Sequence, residues 1–325
     1  MQIKTAIWAA VALATTALSP LGVSAGEVKK IGLAVSNLQA DYFNQIKLGV
    51  EAYAKEKGIE VITVDAKNDS ATQVSQVQDL LTQDIDAFIY IPAGAAAAAV
   101  PTRLAKEAGI PVVNVDRNAD DAPGDTFIAT DNATSAYEVC KYIIGKAGNK
   151  GQMIMVHGQK GTTPEVERTK GCMKAIGENP EVKLVAEQWS EQWSQAEGLN
   201  ITQNLLQANP DVSIVFAQAD GLALGAAQAV KVSGAQGVIV GGFDGDTTAL
   251  PILAEGGFAA TATQQVRGIG RLAVDSAIKL AAGETLPAEQ YFSDLYRRPQ
   301  GALPRSAGAH RWLWNLRHAR PAPTA

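Results

Sequence analysis

The chain has 325 residues, 46% hydrophobic and 19% charged, the make-up of a globular protein with length for roughly two domains. Disorder throughout is excluded. A net charge of −5 and a pI near 5.4 give no electrostatic reason to expect nucleic acid or an anionic membrane surface as partner.

Residues 1–25 read as an export signal rather than as part of a fold. Lys4 supplies a positive start, Ala6 to Leu18 an apolar run, Pro20 and Gly22 a break, and Val23-Ser24-Ala25 a small-residue cleavage site. A membrane anchor needs about 20 uninterrupted apolar residues, which this run lacks. Cleavage is expected after Ala25, with the mature protein outside the cytoplasmic membrane.

From Lys29 onward, short β-branched runs alternate with amphipathic stretches, the pattern of βαβ units and parallel sheets. The expected strands are 30–35, 59–64, 86–91, 111–115 and 126–130, separated by helices. In one of these helices Val74, Val77, Leu80 and Leu81 share a face. The beat then restarts with strands at 152–157, 182–187, 211–217, 237–243 and 259–264. Thr162, Pro164 and Glu165 have the spacing of a capping box for the helix that carries Cys172. Two similar halves imply an α/β chain of two doubly wound parallel-sheet lobes.

Open sheets of this kind bind ligands outside the carboxyl ends of their strands. That rule gathers Ser36, Asp116, Arg117, Asp244 and Gln264, each at or just beyond a strand end, into a polar crevice. Aromatic residues make up only 6% of the chain, and Tyr42, Phe43, Trp189 and Trp193 fall near the same edge. Carboxylates and guanidinium groups bond paired hydroxyls, and the C–H face of a sugar lies against an aromatic ring. A small neutral polyhydroxy ligand suits such a crevice. Asp220 is expected to cap the helix that follows it.

Export permits a disulfide between Cys140 and Cys172, which fall in helices flanking one strand; two buried thiols packing as small hydrophobes are the alternative. Enzyme chemistry has little to start from. His157, His310 and His318 are the only histidines, and His157 has no evident partner in sequence. The Gly268–Ala273 stretch GIGRLA sits inside an expected helix rather than at a strand-to-helix turn, so it is not read as a dinucleotide site. Residues 65–76 lack the Gly and the final Glu of a calcium loop. No cofactor and no metal site is expected.

The stretches AVSNLQADYF (34–43), VDRN (115–118), GTTPEVERTKGC (161–172), NLLQANPDVSIVFAQAD (204–220), GGFDGD (241–246) and TATQQ (261–265) are together specific. From about Lys30 to Glu289 the chain resembles the periplasmic sugar-binding proteins of ABC importers, in the ribose-binding-like group. The resemblance implies type I periplasmic binding protein architecture, hinge closure, a monosaccharide or polyol as cargo and a membrane ABC permease as partner. A chemoreceptor is a further candidate partner, and a monomer is expected. It implies ligand contacts at Ser36, Tyr42, Phe43, Asp116, Arg117, Arg168, Trp193, Asp244 and Gln264. Asp116 and Arg168 are expected at loop edges, so that replacing either removes binding and spares the fold. Ala40 and Ala219 replace the amide residues common among ribose binders, and Asp41 replaces the usual Pro, which moves the expectation away from ribose itself. A sugar-processing enzyme and a sugar-sensing receptor domain are the alternatives on the same fold.

The expected lobes are 27–130 plus 265–290, and 131–264, with hinges near Ala129–Asp131 and Thr263–Gln265. Beyond Tyr291 the chain departs from the family. Residues 297–325 hold six Arg, two His, Trp312, Trp314 and no acid. Residues 291–325 are therefore expected to be a disordered or frameshifted tail that leaves the second lobe without an edge strand.

Overall fold

A computed structural model describes residues 27–292, apart from Ala96 and Asp120, and the backbone of Tyr296–Arg297. The export signal and the rest of the tail lie outside the described residues. The first half of the chain runs β1 (Lys30–Val35), α1 (Asp41–Glu56), β2 (Glu60–Asp65), α2 (Ser70–Leu81), β3 (Ala87–Tyr90), α3 (Ala99–Glu107), β4 (Val112–Val115) and β5 (Thr126–Thr130). The second runs α4 (Asn132–Lys146), β6 (Gly151–His157), α5 (Thr163–Gly177), β7 (Val182–Trp189), α6 (Gln195–Ala208), β8 (Val212–Ala217), α7 (Asp220–Ser233), β9 (Ile239–Gly241), α8 (Ala249–Ala254) and β10 (Ala260–Thr261). The chain then returns through α9 (Val266–Ala281) and β11 (Glu289–Phe292), and crosses once more to β12 (Tyr296–Arg297).

Two sheets result, ordered β11-β5-β4-β3-β1-β2 and β12-β10-β9-β8-β6-β7. Every pairing is parallel except that of β12 with β10. Parallel strands are buried on both faces, which is why they read as unbroken apolar runs. Along β6 and β8 the period of two sorts side chains cleanly: Met153, Met155, Ile214 and Phe216 face α4 and α5, while Ile154, Val156, Val215 and Ala217 face α6 and α7. In the first sheet α1 and α9 cover one face, and α2 and α3 the other. β4 and β5 pair across a loop (116–125) instead of the helix that the alternation implies.

Cys140 of α4 and Cys172 of α5 form a disulfide with Cα atoms 5.3 Å apart. The helices approach closely because Gly171 faces the backbone of Ala133, where a Cβ would have no room. Both sulfurs are buried, so the bridge also packs as core.

The expected end of the fold at Tyr291 is corrected. Tyr291 and Phe292 continue β11 beside β5, and the backbone of Tyr296–Arg297 pairs with Ala260 and Thr261 at the edge of the second sheet. A third crossing therefore exists, and the expectation of a second lobe without its edge strand falls with it.

Candidate functional site

The carboxyl ends of both sheets face one another across a cavity of about 580 Å³. The first lobe contributes Tyr42 and Phe43 from the first turn of α1, and Asp116 and Arg117 from the end of β4. The second contributes Arg168 from α5, Trp193 from the β7–α6 loop, and Asp244 and Asp246 from the loop after β9. Of the nine residues read from the sequence, seven line this space. Ser36 and Gln264 do not.

Three of the lining residues hold positive φ without being glycine: Asp116 at 63°, Trp193 at 58° and Asp244 at 123°. Such conformations cost about 1–3 kcal/mol each and persist where the surroundings fix them. At Asp116 the turn lets the backbone N–H donate to Ile128 O at 2.9 Å while the carboxylate swings into the cavity and accepts from Tyr42 Oη at 2.9 Å. At Asp244 the N–H donates to Ala262 O and the carboxylate accepts from Gln264 Nε2 at 2.6 Å. Trp193 fits only because Gly158 opposes it, since a Cβ there would enter the indole ring.

Each lobe thus presents a carboxylate paired with a guanidinium. Arg117 Nε lies 3.5 Å from Asp116 Oδ2, and Arg168 Nη1 lies 3.4 Å from Asp244 Oδ1. Arg117 also donates to the carbonyls of Pro92 and Ala93, which fixes its orientation. Arg168 donates to Asn132 Oδ1 at 2.8 Å and Gln218 O at 2.5 Å, and its guanidinium lies 3.7 Å from the Phe243 ring centroid. Asp116 and Arg168 are each only 2% exposed. The expectation that they sit at loop edges is corrected: both belong to the packed floor of the site.

Burial governs the charges here. It raises the Tyr42 phenol well above its ordinary range, with Asp116 adding, and it draws Arg117 down. Burial pushes Asp244 up to about 6 against the pull of Arg168. Asp246 is pushed up to about 9 by burial, then by Asp244, Asp220 and Asp41, with Arg168 opposing them least. Asp220, expected as a helix cap, caps nothing. Ala219 occupies the N-cap of α7, and Asp220 Oδ2 instead accepts from Gly245 N at 2.8 Å and Asp246 N at 2.9 Å. It thereby shapes the loop that carries Asp244.

Gln264 links the site to the chain crossings. Its Nε2 donates to Asp244, and its Oε1 accepts from Thr130 Oγ1 at 2.6 Å, where the chain first leaves the first sheet. Ser36 lies behind the cavity and donates to Asn68 Oδ1 at 3.0 Å. Asn68 then donates to Gln192 Oε1 across the cleft at 2.8 Å. Other bridges between the lobes join Arg117 to Gln159, Asn118 N to Thr163 Oγ1, and Thr247 Oγ1 to Asp41. Sequence reading found none of these, because polar side chains in loops carry no signal of a partner 42 to 206 residues away.

Two further expectations fail for one reason. Thr162 makes no side-chain cap to α5, and Glu165 turns to His157 Nδ1 at 3.1 Å; a complete capping box stands instead at Ser194 and Glu197. His157, which has no evident partner in sequence, is buried between Glu165 and Glu187 and stacks on Trp189. It does not line the cavity.

Residues 31–285 match the model of the periplasmic binding protein domain family. The chain belongs to that family. This periplasmic binding protein is 35% identical over 254 residues to the ribose import binding protein of Bacillus subtilis, covering 78% of this chain and 82% of that one. Among solved structures, it is similar to a solute-binding protein from Actinobacillus succinogenes with bound D-allose (TM-score 0.76, 29% identity, 82% of this chain and 96% of that chain). It is likewise similar to one from Bacillus halodurans with bound myo-inositol (TM-score 0.77, 26% identity, 85% and 96%).

Proposed function

We propose that this periplasmic binding protein captures a monosaccharide or polyol between its lobes and delivers it to a membrane ABC permease, without converting it chemically. The observation that carries this reading is the pair of facing Asp-Arg couples, Asp116–Arg117 and Asp244–Arg168, one from each lobe and both buried at a single cavity. A carboxylate and a guanidinium side by side accept from and donate to neighbouring hydroxyls, and each bond is charge-assisted. Relatives named for ribose, D-allose and myo-inositol support the ligand class. Export with cleavage after Ala25 completes the reading.

Ligand enters the open cleft, and contacts from both lobes select the closed arrangement. A pentose has about ten heavy atoms, so micromolar binding at about −8 kcal/mol lies inside the attainable range. Ala40 and Ala219 both line the cavity, so two amide contacts of ribose binders have no counterpart here. Specificity is expected to depart from ribose accordingly.

A thermal-shift screen of the mature protein against pentoses, hexoses, polyols and inositols tests the proposal. One narrow group is expected to raise the melting temperature. Absence of a shift with all of them would overturn the reading.

A further inference from the structure

The cavity is larger than one sugar needs. A water molecule in the liquid occupies about 30 Å³, and covalently bonded atoms pack closer than that, so a hexose of about twelve heavy atoms takes up no more than about 360 Å³. More than a third of the cavity's 580 Å³ is left over.

Two small side chains keep that room. Ala40 and Ala219 line the cavity from opposite lobes and occupy the N-caps of α1 and α7, where neither makes a side-chain hydrogen bond to its helix. Asparagine is among the best N-cap residues and alanine among the poorest. Both helices therefore forgo local stability at the positions where ribose binders carry an amide, and the cavity gains the volume of two side chains.

The spare room leads outward. Asp116, Arg117 and Arg168 form a floor in which each is 2% exposed, whereas Gln39, Gln192, Gln195 and Thr248 line the same cavity and are exposed, at its rim. Hydrogen bonds from Asn68 to Gln192 and from Thr247 to Asp41 already join the lobes, so the rim stays open in the closed arrangement. Sites for small ligands bury most of the ligand's surface, and a single sugar on the floor gains nothing from such an opening. A second unit attached to that sugar has a way out. The rim also limits its chemistry. Amide side chains both donate and accept, as hydroxyl groups do. The basic side chains that line the cavity, Arg117 and Arg168, lie on the floor and are engaged with Asp116 and Asp244, while Asp41 and Asp246 add carboxyl groups to the lining. A phosphate or carboxylate on the second unit would find no cation there, and a hydroxylated unit finds partners from both lobes.

We infer that the cargo is a neutral two-unit polyol, a disaccharide or a glycosyl-polyol, with one sugar held by the two Asp-Arg couples and the second unit in the room left by Ala40 and Ala219, reaching the glutamine-lined rim. The inference rests on the sugar-capture reading and extends its cargo from one ring to a ring that carries a second hydroxylated unit.

Calorimetry of the mature full chain at pH 7 tests this with each parent unit and its neutral glycosides: glucose with maltose, trehalose and glucosylglycerol, galactose with melibiose and galactosylglycerol, and myo-inositol with galactinol. In at least one set a two-unit ligand is expected to bind about tenfold or more tightly than its parent, the worth of one or two added hydrogen bonds. The double variant Ala40→Asn/Ala219→Asn fills the room and supplies two favoured N-caps. It is expected to bring that ratio to about one or below, with a melting temperature no lower than that of the wild type. Parents that bind as tightly as every glycoside, or a gain that survives the double variant, would overturn the inference while leaving the sugar-capture reading in place. If no member of any set binds, and the broader screen is also blank, both fall.

Discussion

Arg168→Ala is expected to abolish ligand binding and to lower the melting temperature together. Arg168 is 2% exposed, and its guanidinium bridges Asn132, Gln218 O and Asp244 and lies 3.7 Å from the Phe243 ring centroid. Removing it strands Asp244 as a buried carboxylate without its cation, a loss of about 3–5 kcal/mol. A drop on the order of 10 °C follows for a lobe of this size. Affinity should fall by about a hundredfold or more, because one buried charged contact to the ligand and the orientation of Asp244 disappear at once. The double variant Arg168→Ala/Asp244→Asn separates the two effects: it removes the stranded charge and should recover much of the melting temperature while binding stays lost. Retained affinity in either variant would mean that the second lobe's couple does not hold the ligand.

Replacing both Cys140 and Cys172 by Ala is expected to destabilise the second lobe without changing affinity. The bridge spans a sequence separation of 32 residues. Closing a loop of that length restricts the unfolded chain by about 3.5–4 kcal/mol. Neither cysteine lines the cavity, and the link ties α4 to α5 on the outer side of the sheet. Denaturant unfolding should show the loss as a lower midpoint, with calorimetry giving an unchanged dissociation constant for the bound ligand. An unchanged midpoint would show that the helix packing around Gly171 suffices alone. An affinity that falls with the bridge would place it among the elements that set the site.

The architecture was legible because parallel strands bury both faces. Runs such as QMIMVH and DVSIVFA can be little else, and the strand-end rule then placed Asp116, Arg117 and Asp244 at one edge before any contact was visible. Tyr42 and Trp193 fall near that edge as members of a scarce aromatic set, whereas Arg168 is reached only through the family resemblance, since a helical Arg within EVERTK carries no local sign of burial. Partner choice was not legible. Glu165 has the spacing of a capping box but bonds His157, and Asp220 has the position of a cap but shapes the Asp244 loop. In both cases a tertiary partner outcompetes the local one, because buried polar groups, here a histidine ring and two backbone N–H groups, must be hydrogen-bonded where they stand. Positive φ at Asp116, Trp193 and Asp244 was equally hidden, as no glycine marks those turns. Ser36 and Gln264 were gathered as ligand contacts by the strand-end rule and the resemblance, yet they stand behind the cavity, where Gln264 joins Asp244 to Thr130.

Capture between two lobes is tested most directly by small-angle X-ray scattering of the mature protein with and without a saturating ligand from the screen. The contacts that join the lobes around the cavity, Asn68 to Gln192, Arg117 to Gln159 and Asp41 to Thr247, belong to the closed arrangement. Ligand should therefore shrink the radius of gyration of the wild type and leave Asp116→Ala unchanged. A ligand that binds with full affinity while the radius stays constant would contradict closure around the cargo, and with it the assignment of this cavity as the place of capture.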